Sequence, residues 1–281
     1  MFRSLARFFV YSNLFIAVCA VLMLEQTFSF LLRHEINGVL VAFVFSSTLC
    51  SYSFHWFLTS HSLLPSERIQ WLKKYKTVHV IFFVLGAVGA AITFFQLIAY
   101  WEWLAMAALA TFLYSAPKIP HPLFRMLRKV ALGKTIFLAF VWMFVTTVLP
   151  IVVVEHEWKP AYWLFVTGRF FFIYAICILF DYRDRADDKQ AGIRSLITYF
   201  DEKGIAAVFI VSLLIATIMT LLLLNYQYSV TDVALLMVPM LITAALYNYA
   251  RRHFQDMFYY FVMDGLMALS ALLMLVRSLF N

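Results

Sequence analysis

Apolar runs as long as a bilayer is thick recur along this chain. The clearest is IAAVFIVSLLIATIMTLLLL, residues 205–224. An α-helix needs about 20 such residues to cross a hydrocarbon layer of ~30 Å. Inside that layer no water satisfies the backbone, so only helices and closed barrels can span it. Continuous apolar runs, rather than period-two alternation, select helices. Composition excludes the soluble alternative: 64% of the 281 residues are hydrophobic, with 30 Phe among them, well above the half-apolar content of a soluble domain.

The runs predict nine helices, near 8–31, 38–60, 78–98, 101–116, 133–154, 162–180, 205–225, 231–249 and 257–278. The third and fourth nearly merge at YWEW, and the fourth is short, so the count is eight or nine. The helices fill the chain, which reads as a single all-α, polytopic membrane domain over residues 1–281. The first run has no small-residue cleavage site and leads directly into further spans, the pattern of a retained helix and not a signal peptide. Cys19, Cys50 and Cys177 all fall inside apolar segments without metal-type spacing and read as packing residues.

The net charge of +7 suggests nucleic acid only until the charges are placed. With the N-terminus in the cytoplasm, 18 of the 22 Lys and Arg residues fall in inside segments. The exceptions are Arg33, Lys159, Arg277 and the intramembrane Arg169. This bias is the positive-inside rule, and it predicts a cytoplasmic N-terminus, an outside C-terminus for nine helices, and no nucleic-acid partner.

Topology leaves one stretch unexplained. DYRDRADDKQAGIRSL, residues 181–196, follows the apolar FFFIYAICILF and would lie at the cytoplasmic exit of the sixth helix. Positive-inside bias accounts for its Arg and Lys but not for Asp181, Asp184, Asp187 and Asp188. If the sixth helix runs on for two turns, Asp181, Asp184 and Asp188 fall within about 60° of one another on one face, and Asp187 points away. Like charges about 4 Å apart cost roughly 4 kcal/mol at an effective dielectric of 20, so such a face calls for a cation. Mg²⁺ accepts one or two carboxylates and takes its remaining ligands from water and substrate phosphates. The plain alternative is a solvated loop in which Arg183, Arg185 and Lys189 neutralise the acids at little energetic value.

The same stretch resembles the second aspartate-rich motif of the UbiA superfamily of intramembrane prenyltransferases, roughly N-x-R-D-x-x-x-D-x-x-x-G-K-x-T-L. Asp184 and Asp188 match the paired acids, Arg183 the preceding Arg, Gly192 the Gly, and Ser195 and Leu196 the Thr-Leu. YSNLFIAV in the first helix is similar to the family's opening motif, with Asn13 at the Asn. LYSAPKIP after the fourth helix is similar to its Tyr-Ser-x-Pro-Pro loop, with Tyr114 and Lys118 as the polar groups.

The resemblance implies a helical bundle that holds an isoprenyl diphosphate through Mg²⁺ between two aspartate-rich motifs at its cytoplasmic end. The diphosphate leaves and the allylic cation alkylates a lipophilic acceptor, which makes the chain a transferase of alkyl groups other than methyl. Asp184 and Asp188 would be metal ligands with Asp181 supporting them. Arg183, Lys118, Lys134, Asn13, Tyr114 and His55 would contact substrate. The setting it implies is a bacterial inner membrane.

The family's first motif, N-D-x-x-D-x-x-x-D, belongs at the cytoplasmic end of the second helix. This chain has SSTLCSYSFHWFLTSHSLLPSE there, with no acid between Glu35 and Glu67. Ser53, His55, Ser60 and His61 are the polar candidates, and neutral His is a poor ligand for hard Mg²⁺. One metal on the Asp184/Asp188 side, with His55 or Lys73 and Lys74 on the diphosphate, is one way to complete the site. A changed reaction, or a non-catalytic protein that binds an isoprenoid or a protein partner, are the others. Asp264 stands alone inside the ninth helix, where acids are usually functional or paired, and Arg251 and Arg252 could line the same mouth. A CDP-alcohol phosphotransferase would need D-G-x-x-A-R, which is absent, and a transporter would show paired Gly or Pro breaks in two halves, for which eight Gly are few.

Overall fold

A computed structural model of the chain describes residues 2–59, 66–116, 134–190 and 199–280. It is helical throughout, and no strand occurs among the described residues. The helices, in order, are α1 (Phe2–Tyr11), α2 (Leu14–Gln26), α3 (Gly38–Thr59), α4 (Glu67–Lys74), α5 (Lys76–Gln96), α6 (Trp101–Ser115), α7 (Lys134–Met143), α8 (Leu149–Val154), α9 (Pro160–Gln190), α10 (Glu202–Leu222), α11 (Val230–Ala250) and α12 (Asp264–Ser278). Short polar residues start several of them. The hydroxyls of Ser66 and Ser229 accept from Ile69 N and Asp232 N, and the Asp201 carboxylate accepts from Gly204 N at 2.8 Å, each satisfying a backbone donor that the first turn leaves free.

Eight helical stretches among the described residues are long and apolar enough to cross a membrane. The ninth predicted span, 101–116, is present as α6, but its 15 residues reach only about 22 Å, short of the hydrocarbon thickness. The predicted 8–31 helix is two helices. Asn13 takes the left-handed conformation at φ 70°, which Asn tolerates better than most residues, and turns α1 away from α2. The predicted 162–180 helix does not stop at Phe180: α9 continues to Gln190, so the Asp-rich stretch is helical at least to there.

Among the described residues three π-helical segments interrupt the spans, at Thr27–Leu32, Phe144–Val148 and Phe258–Met263. The second precedes Pro150. In a regular helix the carbonyl of Thr146 would accept from residue 150, and proline has no N–H to give. That carbonyl accepts instead from Thr27 Oγ1 at 2.6 Å and from Arg169 Nη1 at 3.1 Å.

α9 packs along α7 and α10 and is the most buried span. α3 lies along α5 with little room between them: a Cβ on Gly86 would come within 2.7 Å of Cys50 N and 2.8 Å of Ser46 O. Small residues that let backbones approach are the usual glue between helices in lipid. The outward faces carry exposed Leu85, Ile92, Phe95 and Leu214, as expected where lipid replaces water. The connections gather at two ends. Arg7 meets Glu67, and Arg183 meets Asp256, at one end; His34 meets Glu155, and Arg277 meets Asp232, at the other.

Candidate functional site

At the end shared by Glu67, Arg183 and Asp256, α9 presents Asp181, Asp184 and Asp188 on the face turned toward the start of α7. Two successive residues of α7 meet them. Thr135 Oγ1 donates to Asp181 Oδ2 at 2.6 Å. The Lys134 ammonium lies 3.6 Å from Asp184 Oδ2 and 3.4 Å from Asp188 Oδ1, bridging the two carboxylates. Lys134 and Asp188 are buried, whereas the Asp184 side chain is 31% exposed and forms the open side of the pair. Asp188 Oδ2 is buried and has no hydrogen-bond partner among the described residues, a costly state for a carboxylate oxygen.

A second layer continues from Arg183. Its guanidinium lies 3.5 Å from Asp184 Oδ1 and 2.9 Å from Asp256 Oδ1. Asp256 Oδ2 accepts from Ser66 Oγ at 2.7 Å and from Arg68 N at 2.9 Å, which ties the start of α4 to the cluster. Arg68 is buried, with its guanidinium 4.0 Å from the Trp56 ring centre and 4.1 Å from that of Tyr260. Arg183 also lies over Tyr260, at 4.3 Å. Arg68 Nη2 donates to Asn13 Oδ1, and Asn13 Nδ2 donates to Ser53 Oγ at 3.2 Å. Burial lowers the Arg68 pKa to about 10, opposed by the neighbouring Tyr260 phenol and the Asp264 and Asp256 carboxylates and reinforced by Arg183. The group is still a cation at neutral pH.

The structure therefore brings Asp181, Asp184, Asp188, Lys134 and Arg183 together, and links Asn13 to them through Arg68 and Asp256. His55 and Tyr114 stack with ring centres 4.9 Å apart and His55 Nδ1 3.5 Å from Ser115 Oγ, and Tyr114 lies within electrostatic reach of Lys134, Asp184 and Asp181. Asp264 is buried. Lys118, Gly192, Ser195 and Leu196 lie outside the described residues. Lys73 and Lys74 are exposed in the last turn of α4, so the buried cation of that helix is Arg68. Arg251 stays at the rim, 3.4 Å from Glu202, which also meets Arg185 at 3.4 Å; exposed pairs of this kind contribute little.

Arg68 and Asp256 are not singled out by the sequence. The positive-inside rule accounts for Arg68 as one more inside charge, yet Arg68, Ile69 and Leu72 are the buried residues of α4, spaced along one helical face; that pattern is the available signal. Asp256 carried no signal, since it ends a short connection beside the more conspicuous Arg251 and Arg252.

No group of three His, Cys, Asp or Glu side chains suited to a metal occurs among the described residues. Asp184 and Asp188 nevertheless fit one hard divalent cation, which needs only one or two carboxylates when phosphate and water complete its shell; the unpartnered Asp188 Oδ2 is the available ligand atom. Toward the end of α3, where the family's first motif would put a second carboxylate set, the groups are Ser53 and, bonded to it in turn, Asn13 and Arg68. These do not fit a second metal, and Arg68 would repel one.

No curated protein and no solved structure matches this chain. The family model of the UbiA prenyltransferase family matches residues 58–272, a range that starts near the end of α3 and takes in α4, Lys134, the Asp face of α9 and Asp256. With that match spanning most of its length, the chain belongs to the UbiA prenyltransferase family.

Proposed function

We propose that this protein transfers a prenyl group from an isoprenyl diphosphate to a lipophilic, typically aromatic, acceptor within the membrane, and that the diphosphate is held at the Asp184–Asp188–Lys134 cluster. The observation that carries the reading is the pair of carboxylates on one helical face with an ammonium between them and one buried carboxylate oxygen left unpartnered. Family membership supplies the reaction class.

Asp184 and Asp188 would hold a single Mg²⁺. When bound, that ion would offset charge on the diphosphate and make it a better leaving group. Lys134 and Arg183 would take the remaining diphosphate oxygens, Arg183 as a planar fork and Lys134 as a point charge. Asp181, fixed by Thr135, keeps the start of α7 against α9 and so positions Lys134. Arg68 stands in the quarter where a second metal would otherwise be needed, and there it supplies permanent positive charge. The apolar, aromatic lining of the bundle excludes water from an allylic cation, and aromatic faces stabilise such charge. The positive-inside bias supports a cytoplasmic position for this end of the bundle.

A second reading, a non-catalytic member that binds an isoprenoid or a protein partner, is favoured by the internal neutralisation of the cluster: Lys134 already bridges both acids, and Arg183 pairs with Asp184 and Asp256. Release of inorganic diphosphate separates the two. Wild type in nanodiscs, given geranylgeranyl diphosphate, Mg²⁺ and a panel of phenolic and quinol acceptors, should release diphosphate, and Asp184→Asn/Asp188→Asn should not. Binding without release by the wild type would select the second reading.

A further inference from the structure

Asp264 is not bonded into the network around Asp184 and Asp188. It stands about 9 Å into the last span, Phe258–Ser278, on the face of α12 that it shares with buried Met267, Ala268 and Ala271. Asp264 itself is only 6% exposed, yet it makes no hydrogen bond and no ion pair among the described residues. Its carboxylate is not sealed in as Asp188 Oδ2 is; the oxygens border open space. A buried carboxylate without a hydrogen bond is costly, and an acid at this depth in a bilayer by default marks function.

The groups around it say what it could hold. Cys19 of α2, Tyr52 of α3 and Cys177 of α9 lie within electrostatic reach of Asp264, so the carboxylate faces the space where four spans converge. Cys177 is about 10 Å from Asp184 along α9 and is also within reach of Asp181 and Lys134. Asp264 therefore lies on the membrane side of the diphosphate cluster, one aromatic ring system deeper. Its charged neighbours are Arg68 and Arg183. Two cations would repel a third, so the carboxylate selects a neutral hydrogen-bond donor.

Tyr52 adds a donor of its own. Its hydroxyl accepts from Trp142 Nε1 at 3.0 Å, and its own proton has no acceptor among the described residues. Tyr52 is also within reach of Tyr114, and Tyr114 of Lys134, Asp184 and Asp181, so polar groups continue from Asp264 to the acids of α9. The unmet groups on this inner wall are a carboxylate acceptor and a phenol donor. A hydroxyl both donates and accepts, and so answers both.

We propose that Asp264 and Tyr52 form the acceptor site, in which the hydroxyl of a phenol or quinol donates to the Asp264 carboxylate and accepts from Tyr52. That anchorage would turn the neighbouring ring carbons toward the prenyl diphosphate. The proposal rests on the prenyl-transfer reading and adds to it the class of acceptor and the residues that select it.

Equilibrium binding of 1-naphthol and of its methyl ether, 1-methoxynaphthalene, to the full chain in nanodiscs tests it, with empty nanodiscs subtracting partition into lipid. Geranylgeranyl thiolodiphosphate, whose bridging sulfur resists ionisation, is supplied with Mg²⁺ to fill the neighbouring site, and its own binding is measured alongside. The wild type should bind the naphthol at least about tenfold more tightly than the ether, the scale of one hydrogen bond to a charged group. Asp264→Leu should lose that preference. Asp264→Asn, whose amide accepts a hydrogen bond without a charge, should keep only part of it. Both variants should bind the thiolodiphosphate as the wild type does, which a merely structural role for Asp264 would not allow. If Asp264→Leu fails to fold, the wild-type preference and the Asn variant decide. Equal binding of naphthol and ether by the wild type, or a preference undiminished in the variants, would overturn the acceptor site and leave the prenyl-transfer reading standing. Wild type that does not bind the thiolodiphosphate in Mg²⁺ would overturn that reading, and the acceptor role with it.

Discussion

Replacing Lys134 with methionine keeps the length of the side chain and removes the charge that bridges Asp184 and Asp188. Each ammonium–carboxylate contact, at 3.6 and 3.4 Å, is worth roughly 4 kcal/mol of attraction at an effective dielectric of 20, offset by the desolvation of the ions. Asp184 is part-exposed and keeps Arg183 when Lys134 goes. Asp188 is not, and its Oδ2 already lacks a partner. Removing one member of a buried pair typically costs about 3–5 kcal/mol because the other charge is stranded. For a chain of this size that is a fall in Tm of roughly 10 °C. The assay is thermal unfolding of detergent-purified protein in EDTA and in Mg²⁺. The Lys134→Met variant should unfold earlier than wild type in EDTA and gain more from Mg²⁺ than wild type does, since a divalent cation can take the vacated place between the acids. Saturation at a hundredfold excess over Kd would restore about 2.7 kcal/mol. A variant as stable as wild type in EDTA would refute the claim that Lys134 compensates a stranded acid. A destabilised variant that Mg²⁺ does not rescue would refute the claim that the two acids can hold a metal.

Four further substitutions probe other parts of the molecule by the same unfolding assay. Gly86→Ala should cost about 1–3 kcal/mol by overpacking α3 against α5, because the new Cβ meets backbone at 2.7 and 2.8 Å, whereas Gly38→Ala meets nothing within 4 Å and should be tolerated. Thr135→Val should cost about 1–3 kcal/mol by removing the 2.6 Å donor to buried Asp181, and it should also weaken diphosphate binding through the displaced Lys134. Arg68→Lys should not be conservative: it loses the planar group that lies over Trp56 and Tyr260, at a cost of about 2 kcal/mol.

Helical spans were legible because apolar runs of membrane length admit few alternatives. Their interruptions were not. A π-helical turn before Pro150 depends on whether a neighbouring helix can satisfy the freed carbonyl, and here Thr27 and Arg169 do so from helices distant in sequence. The Asp face could be read from helical spacing alone, since Asp181, Asp184 and Asp188 share a side in any helix; that α9 carries them to Gln190 is set by packing against α7. Lys134 was among the candidates, but its place between two of those acids could not be read from a residue that lies about 50 positions earlier. Arg68 was hidden by a sufficient explanation of another kind: an inside charge at a helix end satisfies the positive-inside rule whether it faces water or two aromatic rings. The departure from the family's first motif was visible as an absence of acids. What fills that quarter, Ser53, Asn13 and Arg68 tied to Asp256, required the fold.

The central claim is that the acids of α9 form a metal-dependent diphosphate site. Equilibrium binding of geranylgeranyl diphosphate to the purified protein, with and without Mg²⁺, for wild type and for Asp184→Asn/Asp188→Asn, tests it most directly. The account predicts wild-type binding that requires Mg²⁺ and falls at least about a hundredfold in the double variant, the loss expected when a charge-assisted contact at each acid is removed. Wild-type protein that binds neither this nor a shorter isoprenyl diphosphate in the presence of Mg²⁺ would contradict it.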